Sequence, residues 1–331
     1  MSELMTYVQH FYECRKIQLI LLLREQNLPI ELLFYNSYES TQLFYDHLFV
    51  HNKSRWDYDG YSMTPESLML LNIPLKEHHI ETEEELDLLL QEKLEEKQYV
   101  YIWANIDYLP NWIFEKDYFI KGSLHSVFLK DRQITGEETR YLLRDNYRDF
   151  CDYVDSSIIQ NTIFKGNPVW TRIVTTVDLA EWDFHETLEV FQHRFTTWRQ
   201  GLVDDFQLYD HIHHLIDQDP LDPQPFYEKL EHTLGLISGS RYLFSRFLEF
   251  VSISEELVRR LDKCSQIAER MKDAFAKAAI RGKINRGKLS ALCEKLKHLE
   301  IECFQLLTSD DCALNLSIPP LHRSTDTPQT T

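Results

Sequence analysis

Hydrophobic and polar positions follow helix spacing early in the chain, strand spacing through its middle, and helix spacing again towards the end. The run CRKIQLILLLRE, from Cys14 to about Glu25, is apolar around most of its circumference and predicts a buried helix. A second helix is predicted to begin near Thr82, where Thr-Glu-Glu-Glu forms a capping box with Glu85 and leads into LDLLLQEKLEEK. In QYVYIWANI the period drops to two. Val100, Ile102, Ala104 and Ile106 alternate with Tyr99, Tyr101, Trp103 and Asn105, giving a strand with one aliphatic face. A proline-containing connection, DYLPNWIFEKD, leads to a second strand, GSLHSVFLK (122–130). The polar turn DRQITGEE separates it from a third, TRYLLRDNY, and PVWTRIVTT (168–176) is predicted to close the sheet.

From about residue 183 onward, HETLEVFQHRF, FYEKLEHTLGLI and RYLFSRFLEFV return to helical spacing. The segment from Ser254 to Leu307 predicts two long helices broken near IRGKINRGK. The expected fold class is therefore α+β: a domain over 1–180 with a largely antiparallel sheet packed on the Cys14 helix, then an all-helical region over 181–310. Residues 311–331, rich in Ser, Thr and Pro, are expected to be a disordered tail.

Composition narrows the function classes. With 43% hydrophobic and 13% aromatic residues among 331, the chain can bury a substantial core. The N-terminus lacks a signal-peptide pattern and the longest apolar run, IQLILLL (17–23), is too short to span a bilayer. A soluble, cytoplasmic protein with no membrane partner is expected. A formal charge of −18 argues against a nucleic-acid partner, and no glycine-rich phosphate loop occurs, so no nucleotide cofactor is expected. The six cysteines form no CxxC pair; reduced thiols are the default, and any one could act as a nucleophile. Against the acidic total, residues 256–297 carry twelve Lys and Arg and five Asp and Glu, a face on which an acidic partner could dock or a merely solvated one.

Candidate chemistry begins at Cys14. A thiol at a helix start feels the positive end of the helix dipole, which favours thiolate, although buried cysteines are common without any such purpose. His125 shares a strand face with Val127 and Leu129, as a core histidine or as a catalytic base. A hairpin centred on Thr135–Gly136 sets positions equidistant from 135 opposite one another, and His125 and Asp145 are each ten residues away. They are expected as cross-strand neighbours on one face, where a carboxylate would fix the tautomer of the imidazole. A register slip makes Asn146 the alternative orienter, and a slip by one moves Asp145 to the other face. Gln9, in a segment expected to fold back over the helix start, is the candidate oxyanion donor together with the Cys14 N–H, with His10 as its competitor. YDHIHHLID (209–217) sets His211, His214 and Asp217 along one helix face. No second ligand cluster accompanies them, and a metal is not expected.

The order of cysteine on an early buried helix, histidine on a strand and aspartate on the next resembles the papain-like cysteine enzymes. More narrowly, Cys14, YVYIWANIDYLP, SLHSVFL and LLRDNY resemble the N-terminal domain of the butirosin biosynthesis protein H-like family, from antibiotic and nonribosomal-peptide gene clusters. The resemblance covers roughly residues 5–180. It implies acyl transfer through the cysteine, from a carrier-protein thioester to a small-molecule amine, with Cys14, His125, Asp145 and Gln9 as site residues. No cofactor is implied, since the acyl group would arrive on the phosphopantetheine arm of a carrier protein, possible docking ground being the basic 256–297 segment. The sequence departs from the pattern at Asn105, where relatives more often carry an acid unless Asp107 takes that role, and at Glu13, an anion beside the thiol. Two other readings keep the same fold: a cysteine peptidase, amidase or editing thioesterase with water as acceptor, and a non-enzymatic accessory protein.

Overall fold

Two helices open the chain, α1 (Glu3–Phe11) and α2 (Cys14–Glu25). In α1, Leu4, Met5, Val8 and Phe11 are buried at helical spacing, so the segment around Gln9 is itself helical. In α2, Lys16 through Ile20 and Leu22–Leu23 are buried, in keeping with the near-continuous apolar run. The computed structural model describes residues 3–115, 122–145, 149–179 and 184–309; the expected tail over 311–331 and the alternative orienter Asn146 lie outside them.

Six strands form one antiparallel sheet: β1 (Leu75–His79), β2 (Tyr99–Asn105), β3 (Leu124–Thr135), β4 (Glu138–Asp145), β5 (Phe150–Asp155) and β6 (Ile173–Val177). Their order is β1-β6-β2-β3-β4-β5. The sequence pattern located β2, β3 and β4. The 168–176 segment differs from its expected form: Pro168–Thr171 is a short helix, with proline where a missing N–H is harmless, and only the rest is strand. That strand, β6, lies between β1 and β2 and does not close the sheet.

One sheet face buries Val100, Ile102 and Ala104 with Val127, Leu129 and Leu143. Two helices contribute to this core, α3 (Glu83–Glu95) through Leu86, Leu90 and Leu94, and α4 (Ser156–Phe164) through Ile159 and Ile163. The start of α3 is fixed as its sequence indicates. Thr82 Oγ1 accepts from the Glu85 N–H at 3.2 Å, and the Glu85 carboxylate accepts from the Thr82 N–H at 3.3 Å. Thr82→Ala is expected to lower stability by about 1 kcal/mol in urea titrations.

The chain divides into two compact units. The first holds 1–33 and 51–191; the second holds 34–50 and 192–331. The sequence reading drew one boundary near 180, whereas the units part within α5 (Phe184–Gln200) and the second also takes an early segment of chain. The second unit contains α6 (Gln207–Ile216), α7 (Pro223–Phe250), α8 (Glu255–Arg281) and α9 (Arg286–Thr308), the last two meeting at the break expected near IRGKINRGK. Its centre is polar. Arg241, fully buried on α7, donates from Nε to both Glu300 oxygens at 2.9 Å and from Nη1 to the Glu39 carbonyl at 2.6 Å. The Tyr38 hydroxyl donates to Glu300 at 3.1 Å, and the Arg241 guanidinium lies 3.9 Å from the centre of the Tyr38 ring.

Much of the basic run on α8 and α9 is neutralised within this unit. Arg259 and Arg260 pair with Glu256, Lys272 with Glu269, Arg286 with Asp219, and Lys297 with Asp210. The histidines of α6 also go separate ways. His211 packs edge-on against Tyr45 and Phe49, His213 lies 3.6 Å from Glu294, and His214 meets Gln218 at 2.9 Å. Among the described residues no His, Cys, Asp and Glu group has metal-binding geometry, and no helix is long and apolar enough to cross a membrane.

Candidate active site

The β3–β4 hairpin turns through Gly136, whose φ of 65° suits a residue without a Cβ. Thr135 pairs with Glu138 and Gln133 with Arg140, but between Arg132 and Leu129 the register shifts, so that Leu129 meets Leu143 and Phe128 meets Arg144. Continued by one residue, this register sets Val127, not His125, opposite Asp145. The expectation of a directly opposed pair is thus corrected by two residues. Because two is even, His125 and Asp145 keep the same sheet face as diagonal neighbours, and the side chains still meet: His125 Nε2 lies 2.9 Å from Asp145 Oδ1.

Asp145 is completely buried and faces N–H donors from four residues on three segments of the chain. Besides His125, Gln18 Nε2 on α2 donates to Oδ1 at 2.9 Å, while Asn111 Nδ2 and Trp112 Nε1 donate to Oδ2 at 2.8 and 2.9 Å. Burial by itself pushes the Asp145 carboxyl up. The hydrogen bond and charge of His125, with the hydrogen bonds of Trp112 and Asn111, outweigh it and hold the group below the ordinary carboxylate value. An ionised carboxylate only accepts, so His125 Nε2 carries its proton, and Nδ1 is the nitrogen left for base chemistry. The Trp112 ring, 4.9 Å from the imidazole centroid, packs against His125 as well as donating to its partner.

Cys14 is the first residue of α2 and is half-buried; of the other described cysteines, Cys151 is exposed and Cys264, Cys293 and Cys303 are buried in the helical unit. Its sulfur receives the N–H of Ser126, the amide that follows His125, and the N–H of Arg15. The expected lowering of its pKa does not occur. Burial, then the charge of Glu13, push the thiol well above its ordinary value, and Asp145 adds to this; the two amides only partly offset them. Burial is the larger cause; at the helix start Glu13 also points its carboxylate at the Lys16 amide and at the Arg15 amide, which the sulfur has to share. Lys16, also buried, donates to Asp59 at 2.6 Å and to the carbonyls of Gly60 and Ser62, strapping that loop onto α2.

No family model matches the chain. Among curated proteins, it is 26% identical over 305 residues to the ribostamycin:4-(gamma-L-glutamylamino)-(S)-2-hydroxybutanoyl-[BtrI acyl-carrier protein] 4-(gamma-L-glutamylamino)-(S)-2-hydroxybutanoate transferase of Niallia circulans, covering 92% of this chain and 97% of that one. The chain is thus similar, over nearly its whole length, to the butirosin biosynthesis protein H-like family. The match to this butirosin-type relative extends well beyond 5–180, into the helical unit.

Of the expected site residues, Cys14, His125 and Asp145 are gathered around Ser126 and Gln18. Gln9 stands on α1, where its carbonyl accepts from Arg55 at 2.7 Å; it is not among the donors to Asp145. His10 packs edge-on against Tyr7. Asn105, the departure from the family pattern, is buried and accepts from the Asp107 N–H at 3.0 Å, while Asp107 accepts from the Gly122 N–H at 3.1 Å. These two residues shape the turn that leads from β2 to Asn111 and Trp112. Sequence reasoning missed Gln18, Asn111 and Trp112. Only Gln18 carried a signal, lying one helical turn after Cys14 and so on the same face of α2.

Proposed function

We propose that this chain is a cysteine-dependent acyltransferase that moves an acyl or peptidyl group from a carrier-protein thioester to an amine in antibiotic or nonribosomal-peptide biosynthesis. The observation that carries the chemistry is the ionised, four-donor Asp145 oriented on His125, with the Cys14 sulfur at the adjoining Ser126 amide. The carrier and amine are inferred from the relative, by name a transferase from an acyl-carrier protein.

In this reading Cys14 attacks the thioester carbonyl while its proton passes to His125 Nδ1. A thiol held neutral by burial and Glu13 gives up its proton during attack, so substrate arrival starts the chemistry. The tetrahedral intermediate expels the carrier thiol, which takes the proton from His125. The amine then attacks the acyl-enzyme, His125 accepts its proton, and Cys14 leaves and is reprotonated. The Cys14 backbone N–H is one oxyanion donor, and Gln9 is proposed as the side-chain donor beside it. The phosphopantetheine arm belongs to the carrier, and no resident cofactor enters the scheme. The acidic carrier docks by charge on the basic segment, where the cations outside the internal ion pairs include Arg270, Lys277, Arg281 and Lys283. A cytoplasmic setting with reduced thiols suits this chemistry.

Intact-mass measurement after incubation with acyl-carrier thioesters tests the reading. Wild type is expected to gain the acyl mass, Cys14→Ala is not, and added amine discharges the adduct as amide. Discharge to free acid would instead mark a thioesterase. If no thioester of a broad panel acylates wild type and Cys14→Ala leaves any turnover intact, the thiol mechanism is wrong. The raised thiol would then favour a non-enzymatic accessory protein.

A further inference from the structure

We infer that Gln18 is a positioning residue that sets the approach of the Cys14 sulfur to His125. The inference rests on the thiol reading of the site.

Gln18 is buried on α2, four residues after Cys14. Its amide nitrogen makes two hydrogen bonds, to Asp145 Oδ1 at 2.9 Å and to the Ser126 carbonyl at 3.0 Å. Both partners are acceptors, so the amide orientation is fixed and both N–H groups are committed. One side chain therefore ties the nucleophile's helix to the strand that carries the base and to the carboxylate that orients it. Ser126 closes the loop: its carbonyl takes the Gln18 N–H while its own N–H reaches the Cys14 sulfur. A shift of α2 along β3 would strain these bonds together, so the sulfur and the imidazole are held in step. With both N–H groups committed to protein acceptors, Gln18 has none left for acyl group or acceptor. Its effect passes through Cys14 and the His125–Asp145 pair.

The chemistry of the position is narrow. Glutamate would bring a second anion against Asp145, asparagine is one methylene short, and methionine keeps the length but has no N–H to give.

The discriminating experiment measures alkylation of Cys14 by iodoacetamide across pH, alongside single-turnover acyl transfer and thermal melting. Wild type, Gln18→Met, His125→Ala and Cys14→Ala are compared. Iodoacetamide needs no substrate pocket, so its rate reads the thiol and its base directly. Gln18→Met is expected to slow neutral-pH alkylation on the order of 10- to 100-fold, towards the His125→Ala rate, and to move the onset of fast alkylation to higher pH. Transfer should lose kcat with KM little changed. A purely structural Gln18 would lower the melting temperature and leave alkylation unchanged or faster as the site loosens, and that result overturns the inference. If Gln18→Met folds poorly, Gln18→Asn carries the test, with the same direction expected and an unshifted alkylation profile again overturning it. Transfer that survives Cys14→Ala would defeat the thiol reading itself. Transfer lost in Cys14→Ala but unaffected in Gln18→Met would defeat only the role of Gln18.

Discussion

Asp145→Asn is expected to slow acyl transfer by roughly 100- to 10,000-fold, a larger loss than an asparagine in a papain-like triad would suggest. The cause is the surroundings of the carboxylate. N–H groups of Gln18 and His125 face Oδ1, and those of Asn111 and Trp112 face Oδ2. An amide placed here turns an NH2 group towards donors in either orientation. With its nitrogen towards Gln18 and His125, it favours the tautomer with hydrogen on Nδ1, the nitrogen the thiol needs as its base. With its nitrogen towards Trp112 and Asn111, it leaves a buried indole N–H opposed and tends to turn out of plane. Single-turnover kinetics check the rate, and urea titration should show a parallel loss of about 1–3 kcal/mol.

The pH dependence has a definite sign. Asp145 ionises below its ordinary value of 3.8, so its contribution to stability is complete above that value. It is lost as pH falls through the lower folded-state pKa. The stability gap between wild type and Asp145→Asn should therefore narrow at acid pH. A gap that widened instead would mean that the carboxylate is not stabilised as described.

The second large effect concerns stability alone. Arg241→Met is expected to cost about 3–5 kcal/mol, because it leaves the Glu300 carboxylate buried with only the Tyr38 hydroxyl of its present partners and strips the Glu39 carbonyl of a donor. Trp198, packed on Phe195 and Phe244 and the sole tryptophan of the helical unit, gives a fluorescence reporter for that unit's transition. Pairing the change with Glu300→Leu should recover most of the loss, since an apolar pair no longer buries an unmatched charge. A double variant as unstable as the single one would mean that packing of the long side chain, and not its charge, is what matters.

How far the sequence carried these conclusions depends on how local the determining forces are. The α2 run, the Thr82 capping box and the alternation in β2 are local signals, and each appears where the pattern places it. Strands β1 and β5 were not legible: LKEHH and FCDYVD lie at the sheet edges, where one-sided burial leaves little alternation to read. The His125–Asp145 contact survived a register error because side-chain parity is forgiving of even shifts. Trp112 and Asn111 could not be foreseen, since a connecting loop gives no indication of which strand end it will cover. The thiol was misjudged in sign for a different reason. The helix dipole was weighed without the burial of the thiol, the larger effect, and without the cap, where Glu13 draws on the Arg15 and Lys16 amides.

Residues 34–50 belong to the helical unit although the chain on either side of them builds the sheet unit. During synthesis this stretch leaves the ribosome long before its partners do. Tyr38 waits for Glu300, and Thr41, whose hydroxyl and amide both donate to Asp204 at 2.6 Å, waits for the chain beyond 200. Neither unit is a contiguous piece of polypeptide that a single cut could release. A clone ending at 180 would strand an apolar and aromatic segment without its companions, and one beginning at 181 would lack the strands of chain that complete its centre. The sheet unit has all of its residues once 191 is made, but it then carries 34–50 without their companions beyond 192, so a clone for studying this site should run through both units.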